Sequence, residues 1–119
     1  MQFGGMTNNF NFQKLEVYAR SKKLSVELIQ IATNFPYKYK RITDQLIGAS
    51  ISISLNLAEG SGRFNEKEKK QFYRIAKASA FETVAILEVC YELRIIRELE
   101  SLEKELKEIS CMISGLIKR

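Results

Sequence analysis

Residues 44–82 read DQLIGASISISLNLAEGSGRFNEKEKKQFYRIAKASAFE, and the fold turns on whether the first half of that stretch is strand or helix. Ile51, Ile53, Leu55 and Leu57 fall at every second position, which is the spacing of a half-buried strand. A helix accounts for the same residues. It would place Ile47, Ile51, Leu55 and Ala58 on one side and Leu46, Ile53 and Leu57 on the other. Gly48, Ala49, Ser50, Ser52 and Ser54 fill the gaps with small residues that let neighbouring helices approach. Buried serines can return their hydroxyls to the carbonyl one turn earlier. Periodicity leaves both readings open, and context selects the helix. Gly60 suits the left-handed position past a helix C-terminus. Asn65 with Glu68 reads as an N-cap with a glutamate at N3. No other segment alternates well enough to pair with a lone strand. A central helix is therefore predicted over residues 43–59, apolar around most of its circumference and buried on more than one side.

The same stretch carries a family pattern. Asp44-Gln45-Leu46, Ser52-Ile53, Asn56-Leu57-Ala58-Glu59-Gly60 and Gly62-Arg63 resemble the signature of the four-helix-bundle proteins encoded in intervening sequences of 23S ribosomal RNA genes. Phe72, Ile75-Ala76, Ser79 and Glu82 continue it downstream, as do the segment from Leu15 to Tyr18 and Phe35-Pro36 upstream. The chain departs from the pattern at Ser54, where relatives often have proline, and at Arg94, where they often have glycine. The resemblance implies an all-α, antiparallel up-down-up-down four-helix bundle that assembles into a ring-like homo-oligomer, a pentamer. Asp44, Asn56, Glu59, Gly60, Gly62, Arg63 and Glu82 would be its structural motif. The similar accessory proteins of diversity-generating retroelements bind a reverse transcriptase and nucleic acid through a basic surface. The intervening-sequence relatives have no established activity.

Working outward, 119 residues make one domain, large enough to bury a core without disulfides or metal. Residues 1–11 are polar and aperiodic and read as a flexible leader, with Phe10 and Phe12 able to dock on the domain formed by residues 12–119. The N-terminus lacks the pattern of a secretory signal and no run is long enough to span a membrane, so a cytoplasmic protein is expected. Cys90 and Cys111 are too few for a disulfide framework and read as small core hydrophobes.

Four helices follow from the periodicity, over residues 13–34, 43–59, 66–93 and 98–117. The first has two apolar groups: Leu15, Ala19, Val26 and Ile29 on one side, and Val17, Leu24, Leu28, Ile31 and Phe35 roughly opposite. A helix in a simple monomeric bundle needs only one apolar stripe. Val17, Leu24, Leu28 and Ile31 are therefore a candidate subunit interface. In the third helix Phe72, Ile75, Ser79, Ile86 and Leu93 form an expected buried seam, with Tyr73, Ala76, Ala80, Leu87 and Tyr91 on an adjacent face. In the last, Leu99, Leu102, Leu106, Ile109, Ile113 and Leu116 repeat in three-four alternation, a coiled-coil-like seam.

The net charge of +5 is uneven. Residues 14–41 hold seven Lys/Arg against two Glu, residues 63–77 six against two, and residues 82–119 six against eight. Such asymmetry points to a polyanionic partner. Lys67, Lys70, Arg74 and Lys77 recur three or four apart and form one stripe on the third helix. Tyr37-Lys38-Tyr39-Lys40-Arg41 alternates aromatic and basic residues, which can stack on bases while neutralising phosphates. Both features also fit a solvated surface. Lys38, Lys40, Arg41, Lys67, Lys70, Arg74 and Lys77 are the candidate nucleic-acid contacts.

Chemistry is sparse. The chain has no histidine, which excludes histidine base catalysis and histidine metal sites. It has no phosphate-binding loop motif, and neither cofactor nor catalytic residue is expected. Asp44, Glu59 and Glu82 are the carboxylates that a Mg²⁺-dependent nuclease would need to converge. Pairing with Arg63 or with backbone donors at a helix junction is the simpler role for Glu59 and Glu82. The reading carried forward is a non-catalytic oligomer that binds RNA, DNA or a nucleic-acid enzyme through basic residues. The alternative is a structural or protein-interaction subunit.

Overall fold

The computed structural model describes residues 8–119, so most of the predicted leader lies outside the described residues. Among them are four α-helices and no strand: α1 Glu16–Ala32, α2 Lys40–Ser61, α3 Glu66–Glu92 and α4 Glu100–Lys118, with 3₁₀ turns at Asn11–Lys14 and Tyr37–Tyr39. The alternating isoleucines and leucines of residues 51–57 are thus helical, and α2 runs uninterrupted through Ser54.

Local chemistry sets the ends. Pro36 follows the turn that closes α1, where the residue before a proline avoids the helical region. Asn65 caps α3, its Oδ1 accepting from the amides of Lys67 (2.7 Å) and Glu68 (3.2 Å). At the far end of α3 the amide of Arg94 bonds the carbonyl of Tyr91 and that of Ile95 bonds Cys90. Arg94 itself sits at φ 62°, the left-handed position that glycine usually fills in this motif.

Each helix packs against two others, α1 on α2 and α4, and α3 on α2 and α4. Named contacts locate two of these pairs. Along α2 and α3, Gly60 lies against Phe72 and Tyr73 while Ser52 meets Ser79, so numbering falls on one as it rises on the other. Between α1 and α4, the Arg20 guanidinium bridges Glu105 and Glu108, at 3.0 Å from Nε and 2.6 Å from Nη2. These bonds hold the Glu108 carboxyl below the usual carboxylate range.

The core is led by Leu28, Leu46, Ile53, Leu57, Leu87, Leu106, Ile109 and Ile113, all fully buried. Each such side chain removed from water contributes about 1.5–3 kcal/mol. Small residues line the helix contacts. Ser21 bonds the carbonyl of Val17, Thr83 that of Ser79, and Ser25 lies 2.9 Å from the carbonyl of Ser50 on the neighbouring helix. Among the described residues no buried side-chain nitrogen or oxygen lacks a partner.

Three expectations are corrected. Val17, Leu24 and Leu28 are not a free interface: they stand in the chain's own core, with Ile31 half-buried beside them. Of the other group on α1, Val26 is 51% exposed, Ala19 and Ile29 are half-buried, and Leu15 packs against the core. On α3, Tyr73, Ala76, Ser79, Ala80, Thr83, Leu87 and Cys90 face inward, while Ile75 and Leu93 of the expected seam are exposed and Ile86 is half-buried. Gly60 is not a turn residue. It is buried inside α2, where an added Cβ would lie 2.9 Å from Tyr73 Cε1 and 3.0 Å from the Lys69 carbonyl. Glycine there is required by the closeness of α3.

Candidate nucleic-acid interface

The first half of α3 begins where α2 ends, at the turn Gly62-Arg63-Phe64-Asn65. Because the α-helical repeat brings residues three and four apart together, Lys67, Lys70, Arg74 and Lys77 share one side of α3. That side points away from the inward residues Ala76, Ser79 and Thr83. Lys67, Lys70 and Arg74 make no ion pair among the described residues. The Lys77 ammonium lies 5.9 Å from the Phe81 ring. The start of a helix adds a partial positive charge of its own to this end. Burial pushes the Tyr73 phenol up, Glu66 adds to that, and the charge of Arg119 opposes it. The far half of α3 is different. There burial, together with Glu88, holds the Glu103 carboxyl above its ordinary range.

The second group of candidates does not join the first. Lys38, Lys40 and Arg41 stand at the start of α2 and the stripe begins past its end and runs back only to about mid-helix, where Ser79 meets Ser52, so roughly 20 Å or more at ~1.5 Å per residue separates them. Lys40 is already paired with Asp44 at 2.7 Å, and Lys38 lies 5.3 Å from the Tyr39 ring. Tyr37 is 83% exposed, so it does not pack on the bundle end.

The motif residues divide by role. Arg63 pairs with Glu59 at 2.6 Å while its guanidinium covers the Phe72 ring at 4.7 Å, which ties the α2–α3 turn to both helices. Asn56 Nδ2 donates to the Ser52 carbonyl (2.8 Å) and reaches its hydroxyl (2.9 Å), and that hydroxyl meets Ser79 Oγ at 2.8 Å. Gly62 follows α2 as its C-cap, at φ −86°. Asp44 and Glu82 are exposed. Asp44 and Glu59 lie at opposite ends of one helix, so these carboxylates do not converge, and no group of three potential metal ligands occurs among the described residues.

One aromatic was missed by the sequence reading, and another was read there only as able to dock on the domain. Phe64 projects from the α2–α3 turn fully exposed, and Phe10 is 63% exposed at the same end. The available signal for Phe64 was its isolation: a large apolar residue between a glycine break and an N-cap belongs to no helical seam.

The family model described as 23S rRNA-intervening sequence protein matches residues 13–115. No curated protein matches the chain. A crystal structure of a protein of unknown function from the S23 ribosomal protein family of Bacteroides thetaiotaomicron is similar in fold, with a TM-score of 0.78. It shares 21% identity over 87% of this chain and 99% of its own. The family match covers α1 to α3 and most of α4, with the Asn56-to-Arg63 segment at the end of α2, and the chain belongs to the 23S rRNA-intervening sequence protein family.

Proposed function

We propose that this chain is a non-catalytic, antiparallel up-down-up-down four-helix bundle that assembles into a ring-like homo-oligomer and binds nucleic acid, or an enzyme that works on it, through the first half of α3. The observation that carries this reading is the set of unpaired cations at Lys67, Lys70 and Arg74, backed by Lys77 and the helix start. Unneutralised positive charge repels itself, and a phosphate backbone relieves that while releasing counterions. Lys38, Lys40 and Arg41 belong to the opposite end and are not needed for it. Self-association uses the apolar residues left outside, with Ile75, Val89 and Leu93 recurring on the outward side of α3.

The test is retention of labelled RNA and DNA at low salt, with mass in solution measured alongside. Reversing Lys70 and Arg74 together to glutamate should abolish retention and lower the slope of log affinity against log salt by at least ~1.4, since each phosphate contact to a single strand contributes about 0.7. Reversing Lys38 and Arg41 should leave most binding intact. Unchanged retention after reversal of Lys70 and Arg74 removes the nucleic-acid role and leaves a protein-interaction subunit.

A further inference from the structure

The 3₁₀ turn Asn11–Lys14 lies against the end of α2 and leaves an open groove of about 760 Å³ between them. Phe10, Asn11 and Phe12 form one wall, and Leu55, Glu59 and Arg63 contribute to the other. Its aromatic wall is built rather than loose. Phe10 stacks on Phe12 with ring centres 5.9 Å apart and 28° between planes, and Phe12 meets Tyr18 edge-on at 4.8 Å. The amide of Phe10 is tied to Gln13 Oε1 at 2.9 Å. One face of the Phe10 ring is thus supported, yet the residue stays 63% exposed. Across the groove, the Arg63 guanidinium is fixed by Glu59 and by its seat over Phe72. Phe64 follows it, wholly exposed, and the cations of α3 begin one turn later at Lys67.

A flat platform, a fixed planar cation, a carboxylate acceptor and a line of lysine and arginine cations form a sequence of chemistries that only one kind of ligand matches throughout. Duplex nucleic acid hides its base faces in the stack, so a duplex would engage the cations and leave the aromatics idle. An unpaired base has a free π-face, and aromatic stacking of this kind accepts any base. We propose that the groove holds an unpaired nucleobase of a single strand, stacked on Phe10 beside Arg63, with Phe64 meeting the next base and the α3 cations taking the phosphates that follow. This rests on the assignment of α3 as the phosphate-binding element and adds the class of ligand: single-stranded rather than duplex.

The chain contains no tryptophan, so Phe10→Trp supplies a single fluorescent reporter in the groove. Unstructured oligouridylate and oligothymidylate should quench it, with a blunt duplex of equal length and inorganic polyphosphate binding without quenching. The two oligonucleotides separate RNA from DNA. In the otherwise native chain, Phe10→Ala and Phe64→Ala should each weaken single-strand binding at least fivefold while leaving duplex binding unchanged. Single strands that bind with no quenching, and with affinity indifferent to both alanine variants, overturn the groove and leave the α3 assignment standing. Absence of any polyanion binding at low salt overturns that assignment. Quenching by millimolar nucleoside monophosphate in that case would still support the groove, and its absence would remove both.

Discussion

Helices α4 and α3 are both rich in apolar residues and distribute them differently. In α4, Leu102, Leu106, Ile109, Ile113 and Leu116 occupy one stripe, and all five are buried. In α3 there are two stripes, and the middle of the one turned inward is small: between Tyr73 and Leu87, the residues Ala76, Ser79, Ala80 and Thr83 face the neighbours while Ile75 and Val89 face out. With a single stripe, hydropathy decides which side is buried. With two, size decides along the middle of α3, where Ser79 Oγ comes within 2.8 Å of Ser52 Oγ on α2 and leaves little room for a larger side chain. Close packing rejects the bulkier stripe even though it is the greasier one.

That contrast can be broken in three places. The largest effect should come from α4, where Ile109→Ala removes a side chain with no exposed surface and should cost about 2–5 kcal/mol in denaturant unfolding. A value near zero would mean that the single stripe is not the core. Next, Ala76→Leu adds apolar surface at a fully buried position of α3 and should still destabilise by about 1–3 kcal/mol, because no space is left for it. Stabilisation there would refute the argument from size. The smallest effect should be Ile75→Ala, next in sequence to Ala76 and larger to begin with. At 41% exposure it should shift stability of dilute protein by less than about 0.5 kcal/mol, while weakening self-association at high concentration.

Much of this was legible beforehand. Helix number, the cap at Asn65, the stop at Pro36 and the α4 seam follow from period and local chemistry, which act within a few residues. The choice of inward stripe on α1 and α3 was not legible, since it depends on interhelical distance, a quantity no single helix encodes. Leu24 and Leu28 looked like surplus grease only while Val26 and Ile29 were taken for the core. Gly60 misled for the same reason: its missing side chain marks a neighbour and not a bend. Among the site residues, the α3 stripe could be read from spacing. Its separation from Lys38, Lys40 and Arg41 depends on which end of α2 each occupies.

The serine and threonine hydroxyls that line the helix contacts have one more effect. Methyl and methylene groups attract from any direction, so two greasy rods can slide past one another by a turn and lose little. Ser25 reaching the carbonyl of Ser50, and Ser79 meeting the Ser52–Asn56 pair, offer no such tolerance. These few polar atoms act as detents: they hold each rod at one notch along its neighbour and so keep the turn bearing Arg63 and Phe64 in step with the cations beyond it.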